Sequence, residues 1–102
     1  MKLIIPVQDF ARDHVSVYAF HCPACDALHS FSVESGKWTF NGDEASPTFS
    51  PSLRVSWTQG REFTPMVCHL FVKKGKIEYC SDSTHAMAGK TVDMVDVDSL
   101  WS

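Results

Sequence analysis

Cys22 and Cys25 stand two residues apart with Pro23 and Ala24 between them, and this spacing constrains the fold more than any other feature of the chain. A tight turn across such a pair brings both Sγ atoms to one side, where they can share an ion at about 2.3 Å, and a proline after the first cysteine pre-sets the turn. Zinc is the ion this chemistry selects, because it favours thiolate and imidazole in a closed tetrahedral set. The pair is half of such a site. Cys68, His69, Cys80, His85 and His29 are candidates for the other half, which is more donors than places. A redox role for the pair would put it at the start of a helix, and no helical pattern follows Cys25. Two free buried thiols are the remaining reading.

At 102 residues the chain suits one domain, spanning residues 1–102, with zinc replacing part of a core that a chain of this size struggles to provide. The core is aromatic and β-branched rather than leucine-rich, which favours sheet. A formal charge of −3 gives no diffuse positive field for nucleic acid. Lys73, Lys74 and Lys76 surround Gly75 as a solvated hairpin tip. Pro6 interrupts the short apolar run at the amino terminus, well below the length of a signal core or a membrane span. The expected location is the cytoplasm, where four cysteines serve as thiols or metal ligands rather than disulfides.

Alternation predicts mostly β structure: small antiparallel sheets of hairpins around a zinc knuckle, with little helix. Strands are expected over His14–His21 and His29–Val33, bent around the two thiols, and over Trp38–Phe40. The segment Pro47–Leu53 is expected on an edge, since each proline lacks the N–H a two-sided ladder needs. Leu53–Thr58 is the clearest half-buried strand. Val67–Val72 and Ile77–Cys80 form a second hairpin; if Val72 faces Ile77, then Leu70 faces Tyr79 and His69 faces Cys80. Thr91–Val97 is a last strand, and residues 85–88 a helical turn ending at Gly89. In a regular strand Cys68 and His69 point to opposite faces, so both can hold one ion only if the ladder begins after them. On strict alternation the set is Cys22, Cys25 and His69 with Cys80 or His85.

His14 is assigned no role, and His29 either bonds a thiolate or faces solvent. Asp82 and His85 are an acid–base pair, a carboxylate orienting a ligand, or a cap in which Asp82 accepts backbone N–H groups. No phosphate loop, nucleophile elbow or zinc-hydrolase helix is present.

Four segments carry a resemblance: residues 20–29 with the cysteine pair, residues 38–43 with Pro47–Ser52, Cys68-His69 followed by Gly75, and residues 82–89. In these the chain resembles small phage and prophage proteins often mislabelled ammonia monooxygenase, and more distantly a short zinc-ribbon-like family. The resemblance implies that Cys22, Cys25, Cys68 and His69 bind the metal; on the residues alone, His85, Cys80, His29 and Asp82 stay as alternative ligands or groups behind them. The chain departs at Ser83, where the phage group carries cysteine, and has Cys80 three residues earlier. The monooxygenase label is not supported, because such an enzyme needs several histidines or an open histidine–carboxylate set. The expected function is a zinc-binding interaction module whose partner is a host or phage protein, with Trp38, Trp57 and Trp101 as contact aromatics. The alternative is a zinc-dependent hydrolase or nuclease-like enzyme using His29, Asp82 and His85.

Overall fold

The computed structural model describes residues 2–9, 14–34 and 36–101, with backbone alone at residues 8, 9, 14, 100 and 101. The chain is mostly β, in two small antiparallel sheets. The first has the order β1-β2-β3, formed by β1 (Ile5–Asp9), β2 (His14–Cys22) and β3 (Ala27–Ser32). The second runs β4-β5-β6-β7-β8: β4 (Thr39–Phe40), β5 (Phe49–Gln59), β6 (Thr64–Lys73), β7 (Lys76–Tyr79) and β8 (Thr91–Asp93). A 3-10 turn, Val97–Trp101, follows. No helix among the described residues is long and apolar enough to cross a membrane.

Period-two patterning places the core between the sheets. Leu53 of β5, Cys68, Leu70 and Val72 of β6, and Ile77 and Tyr79 of β7 are buried, facing Phe20, Cys22 and Phe31 of the first sheet. Phe31 and Phe49 stack in parallel across the interface with centroids 4.3 Å apart, and Tyr18 meets Phe40 at 4.6 Å. Burying each such ring is worth about 1.5–3 kcal/mol, which lets a chain poor in leucine close a core.

The hairpin register follows the alternation: Val72 pairs with Ile77 and Leu70 with Tyr79. The Cys80 N–H then donates to the His69 carbonyl at 2.8 Å. Gly75, at φ 77°, turns the lysine-rich tip.

Two expectations need correction. The Pro47–Leu53 segment does not lie on an edge: β5 runs between β4 and β6. Pro47 precedes the strand, and Pro51 falls where the register shifts between the Phe49–Val72 and Leu53–Leu70 pairs, so its missing N–H interrupts no regular ladder. β1, a strand the patterning does not predict, pairs with β2 through Pro6 and Tyr18. As an edge strand β1 tolerates the missing donor. The last strand covers only Thr91–Asp93; ahead of it the expected single turn is present, the Ala88 N–H donating to the His85 carbonyl at 3.3 Å and Gly89 following at φ 78°.

Candidate functional site

Strict alternation in β6 separates two groups of side chains. The ladder starts at Thr64, before Cys68 and His69, so Cys68 is turned inward with Leu70 and Val72 while His69 is turned outward.

On the inner face, Cys22 at the end of β2, Cys25 in the following turn, His29 on β3 and Cys68 on β6 place one donor atom each within 4.8 Å of the others. The Sγ atoms of Cys22 and Cys68 are 3.8 Å apart. That matches the edge of a tetrahedron with metal–sulfur bonds of about 2.3 Å, roughly 3.8 Å. The Tyr79 hydroxyl lies 3.1 Å from Cys22 Sγ and accepts the Ala24 N–H at 3.4 Å. His29 Nε2 is buried without a hydrogen-bond partner among the described residues, a costly state that coordination would relieve.

The thiols cannot share the same charge state. Cys22 is held down to about 3, chiefly by the hydrogen bond from Cys68, with His29 and Tyr79 adding to it against the cost of burial. Cys68 is pushed up because its proton serves that bond, and burial pushes Cys25 up to about 11. One thiolate flanked by two thiols is the best this group achieves alone; a divalent cation would let all three ionise. Cys25 and His29 also line a hollow of about 310 Å³ with Ala27, Val55, Trp57 and Gln59, which gives an ion a way in.

On the outer face, His69 Nε2 lies 3.0 Å from Ser52 Oγ. Its Nδ1 lies 3.0 and 3.1 Å from the two Asp82 carboxylate oxygens. The carboxylate fixes the tautomer, Nδ1 donating to Asp82 and Nε2 accepting from the serine hydroxyl, which is the arrangement of a nucleophile, its base and the group that orients the base. Ser52 occupies the register shift of β5, where extra residues re-aim a side chain toward a site. Trp38 Nε1–H donates to the Ser52 carbonyl at 3.2 Å. Ser83, 8% exposed, clasps His69 from behind: its Oγ accepts the His69 N–H and donates to the His69 carbonyl, both at 3.0 Å. It stands in for strand pairing just where β7 ends. The His69 side chain is 24% exposed and Asp82 56%, so the group is open to solvent. Beside it on the same sheet lies a depression of about 420 Å³ lined by Arg54, Ser56, Trp57, Pro65, Met66 and Val67, among others.

Cys22, Cys25 and Cys68 therefore meet as expected, and His29 joins them. His69, expected as the fourth donor, does not: it faces away and pairs with Ser52 and Asp82. Cys80, opposite His69, places its sulfur within 4.8 Å of the His69 and Asp82 donors. His85 stands edge-on to the Tyr79 ring at 4.6 Å, its Nδ1 accepting the Met87 N–H. His29, Asp82 and His85, the set expected for a metal-dependent hydrolase, are thus in three different environments. Trp38 and Trp57 are half-buried against the core, and the Trp101 side chain lies outside the described residues. Ser52 carried no signal in its neighbours; only placing Leu53 inward and His69 opposite Arg54 on the outer face would have brought it to the imidazole.

No solved structure matches the chain. A zebrafish (Danio rerio) protein named malectin is 36% identical over 58 residues, 57% of this chain. The match spans only 20% of that protein's length. Residues 3–80 match the family described as bacterial ubiquitination-like system serine protease (BubE). That span takes in Ser52 and His69 and stops two residues short of Asp82. Since it covers well over half of its length, the chain belongs to the BubE family.

Proposed function

We propose that this protein is a serine hydrolase that cleaves an acyl bond in a protein substrate, with Ser52 as nucleophile, His69 as general base and acid, and Asp82 as the group that orients and charge-stabilises His69. The observation that carries the reading is the continuous chain of contacts from Ser52 Oγ through both His69 nitrogens to Asp82. The family's description as a serine protease of a ubiquitination-like system supports a protein as substrate and partner.

In the reaction, Ser52 Oγ attacks the scissile carbonyl while His69 Nε2 takes its proton. The C–N bond breaks, the amine leaves with the proton held on Nε2, and an acyl-serine ester remains. Water then attacks the ester, giving its proton to Nε2, and the carboxylic acid leaves as Ser52 regains its hydrogen. The Asp82 carboxylate stabilises the imidazolium formed in each half and stays ionised. The open depression beginning at Arg54 and Val67 is the ground on which an extended substrate segment would rest.

Cys22, Cys25, His29 and Cys68 would hold zinc in a closed site, which ties the β2–β3 knuckle to β6 and does no chemistry on substrate. Thiolates of this kind persist in a reducing compartment, so we place the protein in the bacterial cytoplasm.

The test is labelling with a fluorophosphonate, which reacts with activated serines and needs no known substrate. The wild-type protein is expected to be labelled at Ser52, located by mass spectrometry, and Ser52→Ala to be inert. Equal labelling of both proteins, or adducts confined to other serines, would overturn the proposal.

A further inference from the structure

Beside the triad the structure places a thiol that hydrolysis does not need. Cys80 follows β7 directly opposite His69, its N–H bonded to the His69 carbonyl, so antiparallel pairing puts both side chains on the outer face. Asp82 arrives two residues later in the turn. The Cys80 sulfur, a His69 nitrogen and an Asp82 oxygen all lie within 4.8 Å of one another. These three donors form a group separate from the four-residue cluster on the other side of β6.

We propose that His69, Cys80 and Asp82 form a second metal site, for a thiophilic divalent cation such as Zn2+, whose occupation silences the hydrolase. Thiolate, imidazole and carboxylate are the three donor types zinc takes, and three protein donors with a place left for water make an open site. Movements on the order of an ångström would bring the donors to coordination distance, and Asp82, 56% exposed, is free to make them. On binding, the cation displaces the Cys80 thiol proton and the Nδ1 proton, both released to solvent. It then stands where His69 would donate to Asp82. Nε2 can no longer collect a proton from Ser52 with a carboxylate stabilising the product, and the triad is broken without any change of fold. The binding half of this inference stands on the donor geometry alone; the silencing half rests on the reading of Ser52 as nucleophile.

The experiment uses the full chain already carrying its first equivalent of zinc. Zinc is added in steps, bound metal is counted after desalting, and fluorophosphonate labelling is compared with and without the added metal for each protein. The wild type is expected to take a second equivalent and lose at least about tenfold in labelling, recovering with a mild chelator. Cys80→Ala, and Cys80→Ser as a second variant in case the first folds poorly, should take one equivalent and keep their own zinc-free labelling when zinc is added. Cobalt added to the zinc-loaded protein should give a thiolate charge-transfer band in the wild type and none in the variants. No second equivalent in the wild type, or equal zinc inhibition of wild type and both variants, would overturn the site. If nothing is labelled under any condition, the Ser52 reading has failed, and the metal count and cobalt band still decide whether the second site exists.

Discussion

Cys68 and His69 are consecutive in β6 and serve opposite faces of one sheet: the Cys68 sulfur lies 3.8 Å from Cys22 Sγ on the inner side, and the His69 ring lies 3.0 Å from Ser52 Oγ on the outer. One strand thus joins the inner cysteine–histidine cluster to the proposed base through a single peptide bond. Displacement of one side chain along the strand axis is felt by the other.

Removing a cluster ligand should therefore disable the outer face. Cys68→Ala is expected to lose the bound metal and, with it, more than about 4 kcal/mol of stability, since a structural zinc's binding energy is folding energy. Serine labelling should vanish although Ser52, His69 and Asp82 are intact. Metal analysis, a denaturant melt and labelling report the three losses; labelling that survives complete loss of metal would separate the two faces.

Asp82→Asn keeps the shape and removes the charge that selects the His69 tautomer. The side chain is more than half exposed, so stability should move by no more than about 0.5 kcal/mol. The rate of serine acylation should fall on the order of 10⁴-fold. Comparing acylation rates at matched thermal midpoints checks both halves.

Ser83→Ala leaves the His69 N–H without its hydroxyl acceptor in a buried setting. The expected cost is about 1–3 kcal/mol, read from urea midpoints. Acylation should slow more than the stability loss explains, because the base loses its fixed backbone.

Metal-free protein should show a characteristic response to pH. Cys22 sits far below the ordinary thiol value of 9, so the native state binds its proton less tightly than the unfolded chain. Its contribution to stability is present above pH 9 and is lost as pH falls toward 3. Cys25, raised to about 11, holds its proton in the native state, and its contribution is full below pH 9 and lost as pH rises toward 11. Urea midpoints of chelated protein should therefore decline on both sides of about pH 9. Replacing both cysteines with alanine should flatten that dependence.

Most of the sheet could be read from alternation, because half-buried strands repeat every two residues, as Leu53, Val55 and Trp57 do in β5. The Val72–Ile77 register follows from the same counting, which also sets His69 opposite Cys80. The ambiguity at Cys68-His69 was a question of where the ladder begins, and pairing that extends to Thr64 answers it. Ser52 stayed hidden for a chemical reason. A serine acquires nucleophilicity from what touches it, and here the contact is made across strands from a register shift, not from a glycine-flanked elbow. The spacing of Asp82 to His85 points to a local pair, whereas the turn after β7 delivers it to His69.

Ser52, His69 and Asp82 all hang from the single meander β5-β6-β7 and the turn that leaves it, whereas the chain ahead of β4 brings sulfur, imidazole, a backing layer and the Trp38 indole that holds the Ser52 carbonyl. The proposed hydrolytic group and most of its support are thus separate stretches of the chain, joined at Cys68. A lineage that exchanged the front hairpin for a different support, or dropped the ion for a larger apolar plug, would keep the covalent frame of its chemistry unbroken.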